Sequence, residues 1–132
     1  MKISYVATDL EFDSTNDLSH IVEELGDNVS VHLNEWVGDV YRVALGVGHC
    51  DTRADEAVAF YCSLLERLSD SAKISWNRCT RRVLDIAFES GTAPKSATYE
   101  LPEELVRRVS DLGMSLAVTI YPAGSYSDTG KE

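Results

Sequence analysis

The alternation of apolar and polar positions predicts strands in five places along the chain, and apolar positions three or four residues apart predict the helices between them. The alternating stretches lie near the start of the chain, after residue 28, after residue 40, after residue 82 and after residue 113. Helical spacing is found at 17–25, from about 53 to 68 and at 102–112. The predicted order is therefore β-α-β-β-α-β-α-β.

The clearest local signals lie in the last third of the chain. Pro102 suits the first turn of a helix, where a missing N–H costs nothing, and Gly113 suits the left-handed residue that ends one. The apolar stripes of this helix and of the following strand are expected to be buried together: Leu105, Val109, Leu112, Leu116, Val118 and Ile120. In a closed core of this kind, Leu112→Ala is expected to cost about 2–5 kcal/mol.

A weak internal repeat relates the two ends of the chain. Phe12-Asp13-Ser14 resembles Phe88-Glu89-Ser90 at an offset of 76 residues. At an offset of 87 residues, the pattern at 105–120 repeats the earlier pattern of Leu18, Val22, Leu25, Gly26, Val29, Val31 and Leu33. Two strand–helix–strand units of similar pattern are therefore expected to flank a central strand and helix.

This order of elements predicts an α+β fold. We expect a two-layer sandwich with a mostly antiparallel sheet of about five strands and the helices on one face. The first six elements match the β-α-β-β-α-β arrangement of ferredoxin-like folds, and a further helix and strand follow. Residues 1–122 are expected to form a single domain, and the small, polar residues 123–132 a flexible C-terminal tail.

The charge is strongly acidic and unevenly distributed. The formal net charge is −10; residues 1–60 hold 12 acids and 3 bases, whereas residues 61–132 hold 10 acids and 9 bases. Such a chain repels phosphate backbones, so no nucleic-acid partner is expected. The acids form either a solvated surface or a docking face for a basic partner. The chain has no apolar run of membrane length and no signal-peptide pattern at its start, so we expect no membrane partner and a cytoplasmic location.

Candidate catalytic and metal-binding residues are few. His49 and Cys50 place a base beside a thiol at a strand-to-helix junction, which leaves a thiol enzyme or hydrolase as an alternative. Asp9, Glu11 and Asp13 alternate along the first strand and form either a cation site or a solvated or partner-facing edge, although they lack the spacing of an EF-hand. Three arginines are expected to be exposed: Arg78, Arg81 and Arg82. We predict a protein that is not an enzyme and needs no cofactor and no metal.

The helix and strand patterns at the two ends of the chain resemble a bacterial family known as domain of unknown function 4279. At the end of the chain the matching residues are Leu101, Glu104, Leu105, Val106, Val109, Leu112, Gly113, Leu116, Val118, Ile120 and Tyr121. Near the start, Asp17 to Gly26 is also similar, while 35–80 matches weakly. The chain also resembles the small acidic immunity proteins of interbacterial systems such as contact-dependent growth inhibition. This resemblance implies binding to a protein toxin, without catalytic residues.

The leading hypothesis is thus a non-catalytic immunity protein that binds a cognate basic toxin, such as a nuclease, through acidic residues gathered on one surface. The predicted partner-binding residues are Asp9, Glu11, Asp13, Asp17, Glu23, Glu24, Asp27, Glu35 and Trp36. The alternative is a small-molecule-binding or regulatory ferredoxin-like module with an apolar pocket between sheet and helices. The protein is expected to be a monomer or a homodimer joined through an edge strand.

Overall fold

The predicted strands and helices form at the expected places, with one additional helix. The structure, a computed structural model, describes residues 2–47, 53–92 and 96–125. Its elements are β1 Ser4–Ser14, α1 Ser19–Leu25, β2 Ser30–Val37, β3 Val40–Gly46, α2 Ala54–Glu66, α3 Asp70–Asn77, β4 Arg81–Glu89, α4 Glu103–Asp111 and β5 Ser115–Tyr121. The pattern did not predict α3. Its N-cap is Ser69, whose hydroxyl accepts a hydrogen bond from the Ala72 N–H at 3.2 Å.

The five strands form one sheet in the order β2-β3-β1-β4-β5. The first four strands pair antiparallel, and β5 adds to β4 in parallel. Strand β3 therefore lies between β1 and β2, while β1 lies between β3 and β4. This interleaving is the split β-α-β arrangement of ferredoxin-like folds, and the helix α4 with β5 extends it. The predicted α+β class with a mostly antiparallel sheet is confirmed.

The helices pack on one face of the sheet, which we call the helix side. Alternate residues of β1, including Leu10 and Phe12, are fully buried in a single core together with residues of all four described helices. The rings of Phe12 and Trp76 meet edge to face with centroids 5.1 Å apart. Burial of alternate residues on this side requires that the residues between them point to the opposite side of the sheet.

The expected burial of the last strand is wrong. Leu105 and Val109 of α4 are buried, and Leu112 is partly buried. The apolar residues of β5, however, are exposed on the helix side: Leu116 at 42%, Val118 at 61% and Ile120 at 66%. Strand β5 is the edge of the sheet, so its side chains have a neighbouring strand on one side only. The alternating pattern identified the strand but not its place in the sheet.

Arg82 is a structural residue rather than an exposed one. Its guanidinium group donates hydrogen bonds to four carbonyl oxygens, of Trp76 at 3.0 Å, Cys79 at 2.9 Å, Gly113 at 3.0 Å and, at the longer distance of 3.5 Å, Asn77. Gly113 has a φ of 72°, as its position after α4 predicts. A Cβ at this glycine would lie 2.9 Å from the guanidinium group, so the close approach of Arg82 also requires glycine.

The end of the chain after β5 begins with a turn, in which the Ser125 N–H donates to the Pro122 carbonyl at 3.1 Å. Residues 126–132, most of the predicted tail, lie outside the described residues. Among the residues that are described, no helix has the length and apolar character needed to cross a membrane.

Candidate functional site

The side of the sheet opposite the helices carries most of the charged strand residues, and we call it the open face. On β1 it presents Asp9, Glu11 and Asp13, which alternate with the buried residues. The cross-strand register places Arg42 and Ala44 of β3 and Arg81, Val83 and Asp85 of β4 on the same side. None of the described helices packs here, because their buried apolar residues belong to the core on the helix side.

Two carboxylates face each other at the centre of the open face. Asp9 of β1 lies directly opposite Asp85 of β4 in the antiparallel register. Partial burial raises the pKa of Asp9; His32 opposes this, and the nearby charges of Asp85 and Glu11 raise the pKa further. Asp85 is stabilised by the Thr119 hydroxyl, which donates to both carboxylate oxygens at 2.7 and 2.9 Å. Burial is the largest of these effects on Asp9, so ionisation of Asp9 beside Asp85 lowers the stability of the free protein.

His32 approaches the same centre from the edge strand β2. A Cβ at Gly46 would lie 2.6 Å from His32 Nε2 and 3.4 Å from Asp9 Oδ1, so the absence of a side chain at Gly46 lets the imidazole lie beside the carboxylate. The register between β2 and β3 shifts at His32, between Val31 and Leu33. A bulge of this kind redirects a side chain, and here it places the imidazole on the open face.

A second part of the open face alternates in charge. The register runs from Glu35 through Arg42 and Asp13 to Arg81, across four neighbouring strands. Arg81 also forms a salt bridge with Glu11 at 3.0 Å. Glu11, Asp13, Arg42 and Arg81 line a shallow depression of about 190 Å³. The acidic groups here are partly neutralised, in contrast to the opposed pair Asp9 and Asp85.

The remaining predicted acids lie in the helical layer. Asp17 accepts hydrogen bonds from the Ser19 N–H at 2.7 Å and the Ser19 hydroxyl at 2.6 Å, which lower its pKa. Glu24 accepts hydrogen bonds from the hydroxyl and N–H of Ser69, and these lower its pKa. Glu23 and Asp27 are exposed on the same layer. Asp17 and Glu24 thus stabilise local structure through hydrogen bonds. Because all four of these acids belong to the helical layer, the predicted partner-binding acids do not gather on one surface.

Trp36 lies on β2 at the edge of the sheet. It is 46% exposed, and its ring meets that of Tyr41 edge to face with centroids 5.3 Å apart. Trp36 therefore packs against Tyr41 but remains accessible to solvent. Its side chain shares the helix side with Tyr41 rather than the open face with Glu35.

The thiol and metal alternatives gain nothing from the described residues. Burial raises the pKa of Cys62 and of Cys79 to about 11, which keeps both thiols protonated at neutral pH. His49, Cys50 and Asp51 lie outside the described residues. Within 2–47, 53–92 and 96–125, no group of three or more His, Cys, Asp or Glu residues has a geometry that holds a metal ion.

The sequence did not single out Asp85, Arg42 or His32 as members of the site. Asp85 follows Asp9 by the 76-residue offset that relates Phe12 to Phe88. The repeat therefore marked Asp85 as the counterpart of Asp9. The two residues face each other because β1 pairs with β4. This pairing cannot be derived from the order of the elements along the chain.

No family model matches this chain, and neither a curated protein nor a solved structure matches it. The geometry of the open face is thus the basis on which a function can be proposed.

Proposed function

We propose that this protein is a non-catalytic binding protein that acts through protein–protein contact, as an immunity protein that neutralises a cognate basic toxin such as a nuclease. Three features support the proposal: the net charge of −10, the open face of charged strand residues and the resemblance to small acidic immunity proteins and to domain of unknown function 4279. The contact surface is the open face, with Asp9 and Asp85 at its centre and Glu11, Asp13 and Glu35 around them.

The observation that carries the proposal is the opposed pair Asp9 and Asp85. Ionisation of Asp9 lowers stability in the free protein, chiefly because its carboxylate is partly buried and further because Asp85 and Glu11 lie nearby. A partner's arginine placed over the pair adds a permanent positive charge next to His32 and forms charge-assisted hydrogen bonds with both carboxylates. Local features that reduce stability are most often retained at functional sites.

The mechanism follows from charge alone. The acidic open face attracts a basic surface over a distance and speeds association, particularly at low salt. When the partner is a nuclease, its basic surface is also the surface that binds the phosphate backbone. Occupation by carboxylates excludes the nucleic acid, so inhibition requires no chemical step.

The test is binding of the purified protein to the C-terminal domain of a basic toxin encoded beside its gene. We expect Asp9→Asn combined with Asp85→Asn to weaken binding at least tenfold at low salt and to reduce the salt dependence of association. The matched control is Asp17→Asn combined with Glu24→Gln, which removes the same formal charge from the helical layer and should change affinity much less. Equal losses in both double variants would show that only net charge matters, and no binding by the wild type together with no protection of cells would overturn the proposal.

A second candidate function is supported by an apolar groove at the end of the sheet. The groove has a volume of about 400 Å³ and is lined mainly by Ile3, Phe88, Tyr99, Val118 and Ile120. This volume lies within the range of small-molecule pockets, although the groove is at the sheet end rather than enclosed between the layers. Binding of the apolar dye Nile red, abolished by the groove-filling change Ala97→Trp, would favour a small-molecule-binding module. An unchanged dye signal in that variant would remove it.

A further inference from the structure

The two edges of the sheet differ in how they are protected against pairing with another strand. Strand β2 has an irregular register between Val31 and Leu33 and carries His32 and Glu35. Strand β5 has seven residues without any charge, and its register with β4 is regular throughout. Monomeric proteins usually protect an edge with a bulge, charges or proline. Strand β2 has two of these protections, and β5 has none of them within its length.

The outer edge of β5, on the side away from β4, also bears exposed apolar side chains. Leu116, Val118 and Ile120 project from its helix side, with 42%, 61% and 66% of their surfaces exposed. Strand β4 is the strand that pairs with β5 among the residues that the structure describes. Within 116–120, and as far as the described residues show, the outer edge of β5 thus offers backbone hydrogen-bonding groups beside an exposed apolar row. A strand added there would pair with these groups and cover part of the row.

The charge distribution indicates which partner fits this edge. Residues 61–132, which include β4 and β5, hold 10 acids and 9 bases, whereas residues 1–60 hold 12 acids and 3 bases. Strands β1, β2 and β3 lie in the acidic part, and β5 is at the far edge from β2. Two copies that meet at β5 bring together their nearly neutral parts and keep their acidic parts apart, so electrostatic repulsion between copies is smaller than in a pair joined through β2.

The sequence of β5 is self-complementary in an antiparallel pair. When a twofold axis passes between two copies of Val118, each valine faces its counterpart, Leu116 faces the other copy's Ile120, and Ala117 faces Thr119. Apolar residues then meet on the helix side, and smaller residues meet on the open face. Such cross-strand apolar pairs are what stabilise a sheet.

We propose that β5 is a homodimer interface, in which two copies pair their β5 strands antiparallel about Val118 and form one continuous ten-stranded sheet. The interface is isologous, as in most symmetric dimers. It leaves the open faces of both copies free, so it does not depend on the proposed function.

The test is sedimentation equilibrium of the full chain over a wide concentration range. The wild type should be a dimer, and Val118→Lys should be a monomer because the dimer would place two ammonium groups opposite each other. Val31→Lys is the matched control, since Val31 is the counterpart of Val118 at the 87-residue offset and is 51% exposed on the other edge; it should remain a dimer. A monomeric wild type, or a dimer that survives Val118→Lys, would overturn the proposal.

Two further measurements keep the proposal testable if Val118→Lys fails to fold. In a Cys50→Ser background, Val118→Cys should form an intermolecular disulfide on mild oxidation, because facing residues of antiparallel strands lie about 4.5–5.5 Å apart at Cα. Val31→Cys should not form one, and equal cross-linking of both would contradict the interface. Raising the salt concentration should leave the dimer unchanged or strengthen it, whereas it should weaken toxin binding, so failure of one proposal is distinguishable from failure of the other.

Discussion

Two units of this chain share one sequence pattern but have different surroundings. In the N-terminal unit, β1, α1 and β2, the two strands are separated by β3, whereas in the C-terminal unit, β4, α4 and β5, the two strands are direct neighbours. In both units the second strand is an edge of the sheet, and its apolar residues, such as Val31 and Val118, are exposed. The comparison shows that a local pattern determines the type of element, whereas the place of the strand in the sheet determines what it buries.

The C-terminal ends of α1 and α4 also differ in their surroundings. The carbonyl oxygen of Leu25 at the end of α1 accepts a hydrogen bond from the nearby Asn28 side chain at 2.9 Å. The equivalent oxygen, of Leu112 after α4, accepts a hydrogen bond from Trp76 Nε1 at 2.9 Å, 36 residues away in the chain. The same requirement of a helix end is therefore met locally in one unit and by a tertiary contact in the other.

The largest expected effect concerns the equivalent leucines of α1 and α4. Leu25 is buried, so Leu25→Ala should lower the free energy of unfolding by about 2–5 kcal/mol. Leu112 is only partly buried, so Leu112→Ala should cost less than about 2 kcal/mol. Urea denaturation of both variants measures the difference. Equal costs would show that the two helices are equally well covered and that the units do not differ as described.

The next largest effect concerns the hydrogen bonds that Arg82 of β4 donates to backbone carbonyl oxygens. Arg82→Met leaves the carbonyl oxygens of Trp76, Cys79 and Gly113 without their donor and should cost about 1–3 kcal/mol. Arg81→Met is the neighbouring control, because it removes only a surface salt bridge with Glu11 and should cost about 0–1 kcal/mol. Thermal and urea unfolding compare the two, and a smaller loss for Arg82→Met than for Arg81→Met would contradict the structural role of Arg82.

The smallest effect concerns Asp9, which lies where β1 and β4, the first strands of the two units, pair. Because the pKa of Asp9 is raised in the folded state, its ionisation destabilises the fold as pH rises from the unfolded value of about 4 through the folded pKa. Asp9→Asn should therefore raise the free energy of unfolding at neutral pH, by a few tenths to about 1 kcal/mol, and the gain should shrink in acid.

Asp17→Asn supplies a control of opposite sign. Hydrogen bonds from Ser19 lower the pKa of Asp17, so its stabilising contribution is present above the unfolded pKa and is lost as pH falls through the folded pKa. Asp17→Asn should therefore reduce stability at neutral pH, and its difference from wild type should vanish in acid. Urea unfolding measured from acidic to neutral pH tests both variants, and the same sign in both would refute the assignment.

Much of the fold could be predicted because the determining signals are local. Alternation marked the five strands, and Pro102 and Gly113 marked the limits of α4. The additional helix α3 was missed because its stretch, 70–77, is mostly polar and its stability depends on the Ser69 cap and on the burial of Trp76. Of the candidate site, the acids of β1 were found, whereas Asp85 and the approach of His32 at Gly46 depend on strand pairing.

Periodicity, caps and charge are properties of the local chain, so the elements, the α+β class and the acidic character of the N-terminal half can be derived from the residues alone. Three features follow only from the packing of distant segments: Asp9 lies opposite Asp85, Arg82 donates hydrogen bonds to backbone carbonyl oxygens, and β5 is an edge strand of the described sheet. The physical reason is that burial and electrostatic energy depend on neighbours that are distant in sequence. An alternating pattern therefore buries its apolar residues on the inner strands β1 and β3 but leaves them exposed on the edge strands β2 and β5.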